Sequence, residues 1–513
     1  MSKTVVLGLD GASWHLLDPW LQSGELPNLA RLRTESAWAE TESCLPPVTF
    51  PNWKCYASGK NPGKFGVFWF ERVDLAAGTI EVTNGSDFET AELWDYLNDA
   101  GLRAGVINMP SMYPPREIDG PIVAGGPDAV EGEYRSIEGG YTTPAALEAE
   151  LESRFDYRVH PDPLLSSNDE RGGEVEAILE LLDTRLEVAL TLLDERDLDF
   201  VHVTLFYLNV LQHFFWNDEP TRRAYRRIDE WIGTIQERAD TNLVIMSDHG
   251  SGPTTTEFYV NEWLAEEGYQ AREGSVDSLF QKIGLDRENV LAVAKRLGMV
   301  GLLATVVPQR LQELVPQRAG LKRGRKLEAI DLEQTDAVAS AQGPIYLHPS
   351  ASESVRDALI DDLRAVADED GPLFDGVYRG EDVYSGPFVD LGPDIVLDQR
   401  DGVHVNDGVG GGQIRAAPDR WRAENTRNGI FLASGPDFEA AGQLDRVSIL
   451  DIAPTVLVAN GCAVPSDVDG EVLPIVTGDP TVEFRDTIDL EDGGSKRDTE
   501  GVEDRLKQLG YME

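Results

Sequence analysis

The chain has 513 residues and carries 91 acidic against 45 basic side chains, a formal net charge of −46 with a pI near 4.4. The acidic residues are spread over the whole length, which predicts a hydrated surface suited to a high-salt cytosol and excludes nucleic acid as a bulk ligand, because phosphate backbones need basic patches. Hydrophobic residues make up 41% of the chain, enough for a sizeable core in one large α/β domain with an insertion, or in two domains.

Three cysteines, Cys44, Cys55 and Cys462, give neither a disulfide framework nor a zinc spacing, which suits a reducing compartment. The opening MSKTVVLGLDGAS enters a strand at once, without the charged-then-apolar pattern of a signal peptide. No apolar run reaches the ~18 residues that a membrane span needs. The expectation is a cytoplasmic protein with no membrane partner.

In chain order, residues 4–9 (TVVLGL) form an apolar run that ends in Asp10-Gly11, the pattern of a buried parallel strand delivering a carboxylate into a loop. Further strand candidates are Arg103 to Asn108, Phe200 to Phe206, Leu243 to Ser247, Asp394 to Leu397 and Gly429 to Ala433. Helical patterns over 89–100, 144–154, 173–196 and 219–239 alternate with them. This alternation predicts a mostly parallel sheet covered on both faces, with chemistry at the carboxyl ends of its strands. Residues 1–265 and 335–480 are expected to form this core. Residues 266–334, helix-rich and locally basic, read as a small helical cap, and 481–513 as an acidic tail ending in a short docking helix.

Four local motifs carry chemistry. Asp10 ends the first strand. Thr49, in Pro46-Pro47-Val48-Thr49-Phe50-Pro51-Asn52, sits in a proline-bounded turn before a helix, a place for a nucleophile beside free backbone N–H groups or for an N-capping hydroxyl. Tyr207 to His213 follows the 200–206 strand, and Ser247-Asp248-His249-Gly250 follows the 243–247 strand. Adjacent Asp and His at a strand end offer an oxygen and an imidazole to one cation such as Zn²⁺ or Mn²⁺, or else form a hydrogen-bonded loop pair.

Together, LGLDG, PPVTFPNW…SGKNPG, the QHFFW segment, SDHG, FYVNEWL, GIFLASGP and DIAPT resemble, in this order, the type I phosphodiesterase/nucleotide pyrophosphatase-like proteins of the alkaline-phosphatase superfamily. The resemblance runs from about residue 4 to 478 and implies an alkaline-phosphatase-like α/β three-layer sandwich with a small helical cap. The implied function is a metal-dependent hydrolase of phosphodiesters or nucleotide pyrophosphates, acting on a small anionic phosphoester through a phosphothreonyl intermediate on Thr49. One metal set maps onto Asp10, Thr49, Asp248 and His249. A second set maps onto Asn209, where the family carries Asp, onto His213, and onto Asn425, where it carries a late His. His404, in Gly402-Val403-His404, is a candidate replacement.

Neutral amides at 209 and 425 make a second divalent ion weakly held, so one tightly bound Zn or Mn ion is expected. His213, unmetallated, is then a candidate proton donor to the leaving group or a core histidine satisfied by Asn209. Phe50 (through its N–H), Asn52 and Lys54 are candidate substrate contacts. Lys60 and Lys64 could clamp charge in the same way as Lys54, although each of the three lysines reads more readily as solvated on a helix or loop. The nucleophile segment also matches sulfatases in spacing, although Thr49 cannot become formylglycine. The alternatives are therefore a one-metal hydrolase similar to sulfatases and phosphonate monoester hydrolases, and a degenerate family member acting as a binding protein.

Overall fold

The structure, a computed structural model, describes residues 2–129, 140–162, 172–272, 326–418, 420–478 and 480–490. Its centre is a ten-stranded sheet. Five neighbouring strands in it run parallel: Thr241–Met246, Lys3–Gly8, Phe200–Thr204, Ala104–Ile107 and Ile122–Val123. Lys3–Gly8 lies inside this group and is buried on both faces apart from its first residue. That is why it reads as a continuous apolar run rather than an alternating one. The strand Asn428–Ser434 then runs antiparallel between Thr241–Met246 and Ala37–Glu42.

Helices Gly172–Glu195 and Glu219–Gln236 pack on each other and on the sheet, while Thr49–Ser58, Leu93–Asp99 and Ile452–Ala459 form a second group. Ala224, Tyr225, Ile228, Ile232 and Ile235 bury one face of Glu219–Gln236 at helical spacing, and its arginines lie opposite. The three-layer α/β architecture is the one expected. One strand was misplaced in that expectation. The apolar run around Asp394 to Leu397 becomes Ile395–Gln399, the interior of a separate four-stranded antiparallel sheet with Ala337–Ala339, Pro344–Leu347 and Phe374–Arg379. Its five residues are buried on both faces, so the pattern matches that of a core parallel strand and carries no information about pairing partners. The helix Glu353–Arg364 covers this sheet with Leu359, Ile360 and Leu363.

Of the expected cap at 266–334, residues 273–325 lie outside the described residues, as do 491–513 of the expected tail. The flanks of the cap meet: Arg272 and Ile330 form an antiparallel bridge, and Asp331 N donates to Ala271 O at 3.0 Å. Phe484–Arg485 pairs in parallel with Val464–Pro465, which ties the start of the tail to the body. Among the described residues no helix is long and apolar enough to cross a membrane.

Candidate metal centre and nucleophile

Register brings the candidate residues together. Gly8 is paired with Thr204 on one side and Met246 on the other, so three adjacent parallel strands end at one level. Asp10, the Tyr207–Phe215 helix and the Asp248-His249 pair all leave from that edge, where chemistry collects in parallel sheets. Gly11 turns the chain with φ +70°. Its N–H donates to Asp248 Oδ1 at 3.3 Å, and a Cβ there would stand 2.4 Å from Asn209 Oδ1.

One ligand atom from each of Asp10, Asp248 and His249 lies within 4.8 Å of the others, and all three residues are fully buried. Among the described residues this is the one such group of three or more acidic, histidine or cysteine ligands. Thr49 is the first residue of the helix Thr49–Ser58. Val48 occupies the capping position, so the hydroxyl is not an N-cap. Thr49 Oγ1 lies 3.2 Å from His249 Nε2. His249 Nδ1 is 2.8 Å from Gly250 O, and because a carbonyl can only accept, Nδ1 carries the proton and Nε2 the lone pair. Nε2 is therefore the nitrogen that could ligate a cation, 3.2 Å from Asp248 Oδ2 and 3.8 Å from Asp10 Oδ1.

Two residues that the sequence did not single out hold this arrangement. Trp53, one turn after Thr49, donates its indole N–H to Asp10 Oδ2 at 3.0 Å. Its ring packs where a Cβ at Gly8 would come within 2.5 Å. The i, i+4 spacing from Thr49 was the available signal. Ser43 Oγ donates to Asp248 O at 2.7 Å.

The remaining oxygens, Asp10 Oδ1 and Asp248 Oδ2, are buried without a hydrogen-bond partner. Burial pushes the Asp10 carboxyl up to about 8 against the pull of the Trp53 indole. Burial, with the Asp10 charge adding, pushes Asp248 well above the usual carboxylate range. Burial drives His249 down to about 3, so its ring is neutral near pH 7. Two unpartnered carboxylate oxygens, a neutral imidazole and a hydroxyl are the donor set of a divalent cation, and these residues fit one.

The second expected set lies alongside and is built differently. Asn209 and His213 stand on consecutive turns of Tyr207–Phe215. His213 Nδ1 donates to Ala423 O at 2.8 Å, so a backbone carbonyl rather than Asn209 orients this ring. Burial lowers His213 to about 4, which leaves it neutral near pH 7 and poorly suited to donating a proton. Asn425 lies in the strand Ala423–Thr426, opposite Ser251. His404, in Val403–Asn406, is paired through Nδ1 with the carboxylate of Glu424 and, among the described residues, joins no ligand group of the kind formed by Asp10, Asp248 and His249.

The candidate substrate contacts are largely committed elsewhere. Asn52 Oδ1 accepts from Cys44 N at 2.8 Å, and its amide donates toward Pro46 O at 2.9 Å and Val48 O at 3.0 Å, which clamps the turn that presents Thr49. Lys54 is buried in an ion pair with Glu92, itself bound by Arg116 at 2.8 Å. Lys60 pairs with Asp467 and Lys64 with Asp469, each at 2.6 Å. Lys54 and Lys60 are buried rather than solvated, whereas Lys64 keeps part of its side chain exposed. The Phe50 ring stacks in the core on Phe70, with centroids 5.1 Å apart. Its backbone N–H lies in the first turn of the helix, where N–H groups have no intrahelical partner.

The model of the type I phosphodiesterase/nucleotide pyrophosphatase family matches residues 4–419. Murine ectonucleotide pyrophosphatase/phosphodiesterase 5 is similar in structure with a TM-score of 0.51 at 12% identity, over 90% of this chain and 96% of that one. An inactive form of that murine protein, in complex with AMP, gives 0.52 at 11% over the same shares. Phosphonoacetate hydrolase from Sinorhizobium meliloti 1021, in complex with phosphonoformate, gives 0.56 at 15%, over 90% of this chain and 95% of that one. At such identities these structures establish the fold alone. No curated protein sequence matches the chain. With the family model spanning most of its length, the chain belongs to the type I phosphodiesterase/nucleotide pyrophosphatase family.

Proposed function

We propose that the protein is a metal-dependent hydrolase of small phosphoesters, of phosphodiester or nucleotide pyrophosphate type, in which Thr49 is the nucleophile. The observation that carries this reading is the convergence of Thr49 Oγ1 and His249 Nε2 at 3.2 Å with the unpartnered oxygens of Asp10 and Asp248. Asp10, Asp248, His249 and the Thr49 oxygen would hold a single Zn²⁺ or Mn²⁺. A divalent ion so bound supplies Lewis acidity that lowers the hydroxyl pKa toward neutrality.

The chain's own part is positional. Asn52 fixes the turn and Trp53 fixes Asp10, so the Thr49 oxygen is aimed without cost at the moment of attack. The alkoxide attacks phosphorus, the ester oxygen leaves, and water cleaves the phosphothreonyl intermediate to return the hydroxyl. The Phe50 N–H, at the positive end of the helix dipole, faces the non-bridging oxygens. The complexes of similar folds with AMP and phosphonoformate support a small phosphoryl or phosphonyl compound as the ligand class.

The test is a screen of chromogenic phosphodiester, nucleotide, phosphomonoester, phosphonate and sulfate substrates with Zn²⁺ or Mn²⁺, repeated on Thr49→Ala. Turnover of a phosphoester by the wild type and not by the variant is expected. Turnover by Thr49→Ala at the wild-type rate would remove Thr49 from the mechanism.

A further inference from the structure

The strand Phe200–Thr204 is buried at all five positions, yet its middle residue is a histidine. His202 takes no part in the proposed mechanism. Both of its ring nitrogens are engaged: Nδ1 lies 3.2 Å from the Tyr56 hydroxyl and Nε2 lies 2.7 Å from Thr204 Oγ1. Burial drives the ring down to about 3, so near pH 7 it is neutral, with one N–H and one lone pair. One of the two hydroxyls therefore donates to the ring and the other accepts from it. An aliphatic side chain would fill an interior strand without the cost of desolvating a polar ring. Packing alone gives no reason for an imidazole here.

The partners of His202 point to another reason, because they lie on the helix that presents Thr49. Thr49, Trp53 and Tyr56 have the i, i+4, i+7 spacing of one face of Thr49–Ser58. Along that face Thr49 reaches His249, Trp53 donates to Asp10 Oδ2 at 3.0 Å, and Tyr56 reaches His202. The imidazole meets both aromatic rings. Its centroid is 5.6 Å from the Trp53 ring at an interplanar angle of 72°, and 5.2 Å from the Tyr56 ring at 30°. The indole lies over Gly8, where a Cβ would stand 2.5 Å from its Cη2 and 3.3 Å from Thr204 Oγ1. A bare backbone at position 8 makes room for the indole, and His202, fixed by two hydroxyls, bounds it.

We propose that His202 is a positioning residue for the metal centre: pinned between Tyr56 and Thr204, it sets the tilt of the Trp53 indole and, through the indole N–H, the direction of the Asp10 carboxylate. The inference rests on the reading of Asp10 as a metal ligand. An edge-to-face contact carries direction, because the positive edge of one ring favours the negative face of the other. An imidazole bonded at both nitrogens cannot turn, so the indole against it has one preferred orientation. Asp10 sits in a loop beyond its strand, where its side chain takes its direction from hydrogen bonds such as the one from Trp53. Outer partners of this kind govern how tightly a ligand set holds its ion.

The experiment is calorimetric titration of Mn²⁺ into metal-free protein, with melting temperatures of the same samples. Tyr56→Phe removes one hydroxyl and keeps the ring packing. It should weaken Mn²⁺ binding about threefold or more. His202→Leu removes both hydrogen bonds and should weaken binding about tenfold. Trp53→Phe closes the cycle. In that background neither Tyr56→Phe nor His202→Leu should weaken binding further, because the indole N–H through which they act is gone. A role in packing alone would lower the melting temperature and leave Mn²⁺ affinity at the wild-type value, or would weaken binding by the same factor with Phe at position 53. Either result overturns the inference. Where His202→Leu fails to fold, the Tyr56→Phe cycle decides by itself. Binding that is lost in Asp248→Asn and unchanged in Tyr56→Phe would defeat this inference and leave the ligand set standing, whereas a wild type that binds no Mn²⁺ would defeat both. Binding is read without turnover, so residual hydrolysis by Thr49→Ala would defeat the nucleophile and leave this result standing.

Discussion

Asp10 and Glu424 are both fully buried carboxylates at the same edge of the fold, yet burial leaves them in opposite states. Asp10, with Asp248 beside it and one oxygen without a partner, is pushed up to about 8. Glu424, wrapped by Gln342, Asn425, Trp421 and His404, is held down at about 2. The difference separates a carboxylate left with an unpartnered oxygen from one whose oxygens are met by donors of the chain itself. Desolvation is common to both. The number of donors around each carboxylate decides the outcome.

The largest effect should come from Thr49. Thr49→Ala is expected to lower kcat by more than about 1,000-fold, because the hydroxyl is the reacting atom. The melting temperature should move little, since one hydrogen bond to His249 is worth about 1 kcal/mol. Single-turnover kinetics with trapping of a phosphorylated protein would check the rate and the covalent step together.

Asp248→Asn sharpens the cation side of the comparison. Metal affinity should fall by more than the ~10–100-fold loss typical of outer-shell partners. The metal-free protein, in contrast, should gain about 1–3 kcal/mol near pH 7, because Asp248, ionised in the unfolded chain and kept neutral by burial in the fold, no longer has to take up a proton on folding. The sign follows from the raised carboxyls. With a folded-state pKa of about 8 against an ordinary 3.8, Asp10 costs the metal-free fold stability as pH rises from about 4 to 8. Denaturant melts of metal-free protein across that window should show the cost, and it should shrink in Asp248→Asn.

Glu424→Gln tests the other side, and its sign is reversed. Glu424 is depressed from 4.5 to about 2, so its stabilisation is fully present above pH 4.5 and lost as pH falls toward 2. The variant should be less stable than the wild type by roughly 2–3 kcal/mol at pH 6 and should converge with it near pH 2. Parallel curves over that range would break the comparison.

These two sites were unequally legible in the sequence. Asp10, Thr49, Asp248 and His249 announce themselves because strand-end loops of a parallel sheet are short and the register of Lys3–Gly8 with its neighbours leaves little freedom. The Glu424 site draws on three separate connections, with Gln342 and His404 outside the parallel sheet. Position 425 drew notice only because an imidazole was missing there. The strand Ile395–Gln399 was misplaced for a related reason, since apolar runs record burial and say nothing about which strand lies alongside. Lys54 and Lys60 looked like solvated charges because an ion partner distant in sequence, Glu92 or Asp467, leaves no local trace.

The smallest expected effect per residue is the most widely distributed. With a net charge of −46, self-repulsion grows as the Debye length lengthens from ~3 Å at 1 M to ~30 Å at 0.01 M salt. The melting temperature should rise steadily with salt across that range. A flat profile would remove the high-salt reading and leave both sites untouched.

The most direct test of the contrast between the two sites is the metal content of extensively dialysed protein, measured by elemental analysis alongside Asp248→Asn. One Zn²⁺ or Mn²⁺ per wild-type chain, lost from Asp248→Asn, is the predicted result. Two ions per wild-type chain would show that the position around Glu424, Asn209 and Asn425 recruits a cation after all, and none would show that the Asp10, Asp248 and His249 set does not hold one.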